Sequence, residues 1–260
     1  MLRRNALKRA LQEGKPVAGL FCSTPAPLVV EMIGCAGFDF VILDTEHVLV
    51  NPETLANMIR AAEGVGLTAL VRVPAGSPDT ILHALDAGAQ GVVVPRVNRP
   101  DDIARAVQAS RYHPHGCRGL NGGRMSGFGK MDLLDYIQAA NTEVMVVPMI
   151  EDIEGLKNLP EILTVPGIDM VLEGAADLSQ SLGIPWQTRA PEVRRALEDM
   201  YNTARQHCIP FCAIPRVQED LQAWLDQGVN AFVLGDERGI AVRALRAEHE
   251  SFLQALRPYQ

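Results

Sequence analysis

Eight short apolar runs, separated by longer amphipathic stretches, constrain this chain more than any other feature of its sequence. They read VAGLF at 17–21, FDFVILD at 38–44, TALVRV at 68–73, GVVVP at 91–95, VMVVPMIE at 144–151, IDMVLEG at 168–174, PFCAIP at 210–215 and AFVLGD at 231–236. Runs this uniformly apolar suit strands covered on both faces, as in a parallel sheet wrapped by helices. The stretches between them carry the helical period. In PETLANMIRAAEGVG, Pro52 fits a first helical turn, and Leu55, Met58, Ile59 and Ala62 recur on one face. Eight βα repeats close an α/β fold of the (β/α)8 TIM-barrel type, and 260 residues is an ordinary length for one such domain, so residues 1–260 are expected to form a single domain. An open doubly wound sheet is the alternative, but it would open on a Gly-rich first turn where this chain has CSTPAP.

Composition narrows the partners. A net charge of -7, with no Lys/Arg block, argues against nucleic acid and membrane, which are both held largely by neutralising phosphate. A small-molecule ligand is expected instead. Five cysteines (Cys22, Cys35, Cys117, Cys208 and Cys212), without CxxC pairs, suit neither a disulfide framework nor a zinc ribbon and read as reduced packing residues. The basic start MLRRNALKRALQEGK is followed by an apolar run too short for a signal-peptide core, which predicts a cytoplasmic address.

In a parallel barrel the chemistry lies at the C-terminal ends of the strands, so charged residues that interrupt an apolar run there become the candidates. Run two passes into Asp44-Thr45-Glu46-His47, run three ends at Arg72, run five ends at Glu151, and run six passes through Glu173 to Asp177. Glu151 and Asp177 come from adjacent strands, and two carboxylates completed by water and substrate oxygens are what a hard divalent cation such as Mg2+ takes, with Mn2+ or Co2+ as alternatives. The competing reading makes Asp177 a helix N-cap and Glu151 half of an ion pair. Arg72 presents a guanidinium that matches a carboxylate bidentately, although an outward, solvated arginine would be equally ordinary there. His47, three residues after Asp44, is spaced for its imidazole to be oriented by that carboxylate as an acid–base group. The long segment 96–143 contains helical stretches near 100–110 and 131–140 around RGLNGGRMSGFGK, which reads as a lid or substrate loop or else as a mobile surface loop.

FDFVILDTEH, LVRVP, LDAGAQGVVVPRV, RYHPHGCRG, MIEDIEGLKNL and GAADLSQSLG, in this order over nearly the whole chain, resemble the HpcH/HpaI aldolase family of the phosphoenolpyruvate/pyruvate-binding barrel superfamily. The resemblance implies a (β/α)8 barrel, a homo-oligomer, commonly a hexamer, with the last helix exchanged between subunits, and a divalent metal held by Glu151 and Asp177. It also implies that Arg72 binds the carboxylate of a 2-oxo acid, that backbone amides around Ala176 and Asp177 contact the same carboxylate, and that His47, supported by Asp44, moves protons. Many pyruvate aldolases of the family carry Gln where this chain has Met149, which speaks against a standard pyruvate aldolase. NGGRMSGFGK, LEGAADLSQSLGIPWQTR, FCAIPR and FVLGDERG further resemble the branch of that family formed by the citrate synthases of staphyloferrin B siderophore biosynthesis. That likeness implies condensation of oxaloacetate with acetyl-CoA, with Arg124 on the Gly-rich loop as the expected clamp for oxaloacetate's second carboxylate. A metal-dependent aldolase that cleaves a 4-hydroxy-2-oxoheptanedioate-like diacid to pyruvate or a related 2-oxo acid is the second reading, and a non-catalytic metabolite-binding barrel the third.

Overall fold

The computed structural model describes residues 1–257. Its eight strands are β1 (Val17–Cys22), β2 (Phe40–Asp44), β3 (Thr68–Arg72), β4 (Gly91–Val94), β5 (Met145–Ile150), β6 (Val171–Glu173), β7 (Phe211–Ala213) and β8 (Ala231–Asp236). All pair in parallel and in chain order, and β8 closes on β1, so each predicted apolar run coincides with one strand of a closed barrel, β1 running one residue further to Cys22.

The uniform apolarity has two destinations. In β2, Phe40 and Ile42 enter the lumen with Leu70, Val93, Val147, Met149 and Leu172, while Val41 and Leu43 join the layer between sheet and helices. Alternating side chains thus bury both faces of each strand, which is why no polar alternation appears in the sequence. Lumen packing is tight: a Cβ on Gly19 would lie 2.4 Å from the Phe40 ring. Deleting a side chain such as Phe40 should therefore cost about 3–5 kcal/mol.

Outside the sheet lie α2 (Pro27–Cys35), α3 (Pro52–Gly64), α4 (Pro78–Ala87), α5 (Pro100–Ser110), α7 (Ile153–Ile162), α8 (Ala175–Ser181), α9 (Pro191–Gln206) and α10 (Gln218–Asp226). Several start as their sequences suggest; for α3, the Asn51 side chain accepts from the Glu53 N–H at 2.9 Å and Pro52 occupies the first turn. A short α1 (Ala6–Gln12) plugs the N-terminal end of the lumen with Leu7 and Leu11.

Two elements depart from a regular barrel. After β4 the helix α5 runs back along the sheet, so the chain has reached the floor, at the N-terminal ends of the strands, before the Gly-rich segment begins. That segment and α6 (Leu133–Glu143) line the floor, where the Leu2 N–H donates to the Met125 carbonyl at 2.9 Å. The segment expected to be a lid or substrate loop, or else a mobile surface loop, thus lies at the end of the barrel opposite its own chain's strand exits. The second departure is α11 (Glu237–Leu256), which leans on β1 and β8 at its start and is exposed from Ala241 to Ala255. Cys22 and Cys212 are buried as packing residues, whereas Cys35, Cys117 and Cys208 are exposed thiols. Among the described residues no helix is long and apolar enough to cross a membrane.

Candidate metal and substrate site

Parallel register places Asp44 directly beside Arg72 at the exits of β2 and β3. Arg72 is 7% exposed and pairs bidentately, Nε to Oδ1 at 3.0 Å and Nη2 to Oδ2 at 2.8 Å. Burial works against charge on Asp44, but the Arg72 guanidinium outweighs it and holds the carboxyl below its ordinary range. The remaining faces of Arg72 meet the Phe21 ring, 4.7 Å from the guanidinium carbon, the Met149 sulfur at 3.9 Å from Nη1, and Glu46 Oε2 at 3.3 Å. Met149, flagged in the sequence as a departure, therefore lies in the site against the arginine.

Asp44 does not touch the His47 ring. Its Oδ1 accepts the backbone N–H groups of Glu46 and His47 at 3.0 and 3.3 Å, which folds the DTEH turn back onto β2. The imidazole instead has Glu46 Oε2 as its neighbour, 3.7 Å from Nε2, and is half exposed. The expected Asp44–imidazole contact is thus replaced by a backbone contact, because a side chain two or three residues back reaches the turn's amides before the ring.

Glu151, 3% exposed, leaves β5 beside this cluster, and its Oε1 accepts the Arg96 N–H at 2.8 Å. Arg96 adopts φ 54 to deliver that N–H, a left-handed conformation disfavoured for a residue with a Cβ, while its own guanidinium Nε is 3.8 Å from Glu46. Gly174 lets the β6 exit approach: a Cβ there would fall 2.4 Å from Glu151 Cβ and 2.8 Å from Oε2. Burial, reinforced by the charges of Glu46 and Asp177, pushes the Glu151 carboxyl up to about 7. Asp177 is in the first turn of α8, where Gly174 rather than Asp177 holds the N-cap position. It makes no hydrogen bond or ion pair among the described residues, so the helix-cap alternative falls away. Glu173, by contrast, is buried and already partnered. It accepts from Ile214 N–H at 2.8 Å and Ala175 N–H at 3.0 Å, which fixes the turn carrying Ala176 and Asp177.

A cation fits this arrangement. Asp44 and Glu46 pair with Arg72 and Glu46 also with Arg96, Glu151 lies within reach of the charges of Glu46 and Asp177, and Glu46 Oε2 is buried without a hydrogen-bond partner. A buried carboxyl as high as that of Glu151 and an orphaned acceptor are both relieved by a bound divalent ion. Among the described residues no three His, Cys, Asp or Glu side chains form a ready-made cage, so waters and substrate oxygens would complete the shell, as Mg2+ prefers.

Arg124 is not part of this cluster. Its guanidinium pairs with Glu63 and donates to the Ala87 carbonyl at 3.3 Å, at the floor ends of α3 and α4. Arg124, expected to clamp oxaloacetate's second carboxylate, therefore lies at the end of the barrel opposite its own chain's strand exits, because α5 carries the chain to the floor before the Gly-rich loop starts. Sequence reading also missed the backbone role of Arg96 and the place of Glu46. Glu46 was visible in the DTEH turn, whereas nothing in a PR dipeptide announces a left-handed arginine.

The sequence profile of the HpcH/HpaI aldolase/citrate lyase family matches residues 17–244. A crystal structure of the citrate synthase SbnG superposes with a TM-score of 0.89 at 45% identity, over 96% of this chain and 98% of that one. Among curated proteins, the 4-hydroxy-2-oxo-heptane-1,7-dioate aldolase of Escherichia coli is 36% identical over 94% of this chain and 93% of its own. The 5-keto-4-deoxy-D-glucarate aldolase of Klebsiella pneumoniae is 31% identical over 95% and 96%.

Proposed function

The chain belongs to the HpcH/HpaI aldolase/citrate lyase family, and from that premise we propose that it is a metal-dependent citrate synthase, condensing oxaloacetate with acetyl-CoA in the cytoplasm to supply citrate for siderophore biosynthesis. The observation that carries this reading is the 45% identity to SbnG across both whole chains, against 36% for the heptanedioate aldolase. Met149 against Arg72 agrees with it, since an apolar thioether replaces the amide that the resemblance associates with pyruvate aldolases.

In this reading Glu151 and Asp177 hold a divalent cation, Mg2+ foremost, which when bound supplies positive charge at the ketone oxygen of oxaloacetate. Arg72, already desolvated and oriented by Asp44 and Phe21, binds a substrate carboxylate. The N–H groups of Ala176 and Asp177, in the first turn of α8, complete that contact. His47 takes a proton from the acetyl methyl group, and Glu46 is placed to orient its ring. The methyl carbon then bonds to the ketone carbon of oxaloacetate, the former ketone oxygen gains a proton, and water cleaves the thioester to release CoA and citrate. A homo-oligomer, a hexamer by family resemblance, would cover α11. That helix leaves Val242, Leu245, Phe252 and Leu253 exposed along 15 residues, and an isolated helix of this length has little stability in water.

Purified protein incubated with oxaloacetate, acetyl-CoA and Mg2+ should release free thiol and citrate together, and chelator should stop both. Cleavage of 4-hydroxy-2-oxoheptanedioate to pyruvate without citrate formation would move the assignment to the aldolase reading, which the curated relatives favour.

A further inference from the structure

Glu237 opens α11 yet is only 9% exposed, because its carboxylate turns away from its own helix toward the exit of β1. Oε1 accepts the Thr24 N–H at 2.7 Å and the Ser23 N–H at 3.1 Å, and Oε2 accepts the Ser23 N–H at 3.0 Å. An acidic residue in a first helical turn is ordinarily explained by the helix dipole. Here the carboxylate satisfies amides 213 and 214 residues away, one of them in a residue that is 5% exposed, where a lost acceptor would leave a buried N–H unpaired.

The segment it fixes touches both members of the Asp44–Arg72 pair. Ser23 Oγ donates to Asp44 Oδ2 at 3.4 Å, and Phe21, two residues earlier, stacks on the Arg72 guanidinium. Asp44 in turn holds the amides of Glu46 and His47. A continuous path therefore runs from the root of the exposed helix to the turn that carries His47. We propose that Glu237 is a positioning residue, acting through Ser23 and Phe21 to hold the Asp44–Arg72 pair, so that the seating of α11 on the barrel sets the geometry of the carboxylate anchor. The catalytic consequence rests on the reading of Arg72 as that anchor; the structural coupling does not.

Amide hydrogen exchange on the full chain tests the coupling directly, with Glu237→Ala, Glu237→Gln and Ser23→Ala compared to wild type. In Glu237→Ala the amides of Ser23 and Thr24 should exchange about tenfold faster, and those of Glu46 and His47 should follow, while β4 amides stay protected. Glu237→Gln keeps one acceptor oxygen and should recover most of the protection. Ser23→Ala leaves the Glu237 contact intact, should melt like wild type, and should still speed exchange at Glu46 and His47. In turnover, KM for oxaloacetate should rise roughly tenfold in Glu237→Ala, with Mn2+ affinity unchanged because Glu151 and Asp177 are untouched. Exchange confined to residues 23 and 24, with Glu46 and His47 unaltered in Glu237→Ala, overturns the proposal; so does an unaltered pattern in Ser23→Ala, which decides the matter even should Glu237→Ala fail to fold. Coupled exchange in a protein that makes no citrate would instead overturn the functional reading alone.

Discussion

The two ends of the barrel use the same residue types to opposite purposes. At the floor, charged and polar groups are closed into pairs. Asn5 donates to the Gln90 and Glu143 carbonyls, Lys8 and Arg111 share Asp169, Arg118 binds Asp86, and Arg124 binds Glu63; among the buried side-chain atoms of the described residues, Arg118 Nε alone lacks a hydrogen-bond partner there. At the strand exits, Asp177 has no hydrogen bond or ion pair among the described residues, Glu46 Oε2 is buried without a hydrogen bond although Arg72 lies 3.3 Å away, and Glu151 is pushed up to about 7 by burial and by like charges. Closed pairs hold a structure, whereas unsatisfied carboxylates gathered in one place cost stability until something binds them. The contrast separates floor from site without reference to any relative.

Substitution at the two ends should break that contrast in opposite ways. The largest effect is expected from Glu151→Gln or Asp177→Asn, which should cut metal-dependent turnover by at least about a thousandfold, or ~4 kcal/mol, with the fold retained in circular dichroism. Undiminished turnover by either variant in chelator would remove the metal from the site. At the floor, Arg111→Met leaves the buried Val144 carbonyl without its donor and Asp169 with Lys8 as its remaining cation, and should lower stability in urea by about 3 kcal/mol while leaving kcat intact.

The next effect is one of pH. With the ordinary carboxyl value at 4.5 and the Glu151 value at about 7, the native metal-free protein keeps a proton that the unfolded chain has released, so its stability falls as pH rises from 4.5 through 7 and then levels off. The full span is about 3 kcal/mol for one group shifted this far. Thermal melts in chelator should show this slope for the wild type and lose it in Glu151→Gln; saturating Mg2+ should flatten it as well. Asn5→Ala, which removes the acceptor that caps the Lys8 N–H and the donor to the Glu143 carbonyl, should cost roughly 2 kcal/mol in the same assay, without altering the pH slope. Arg124→Met should be smallest, within about 1 kcal/mol, since its pair with Glu63 is partly exposed. A selective loss of oxaloacetate use in that variant would return Arg124 to substrate binding, contributed by another copy of the chain.

Much of the site was legible because it interrupts the apolar runs. Asp44, Arg72 and Glu151 are charged residues at positions where lumen or helix-layer packing would otherwise require an aliphatic side chain, and Asp177 follows the β6 exit within a few residues. Their partners were not legible. Which amides Asp44 would hold depended on how tightly the DTEH turn folds back, and the approach of Arg96 to Glu151 depended on a backbone angle that residue type disfavours. Arg124 shows the converse: its loop composition suggested ligand approach, but position along a βα repeat does not reveal which end of the barrel a long connection visits until the helix before it has a direction.

The barrel and its candidate chemistry follow from the order of residues alone, since apolar periodicity, strand count and charge at strand ends are local properties fixed by burial on two faces. The assignment of each charge to a working or a structural end was decided only in three dimensions. Pairing is a matter of distance, and the parallel register, the reversal by α5 and the return of Glu237 to β1 bring together residues that lie 28, 61 and 214 positions apart.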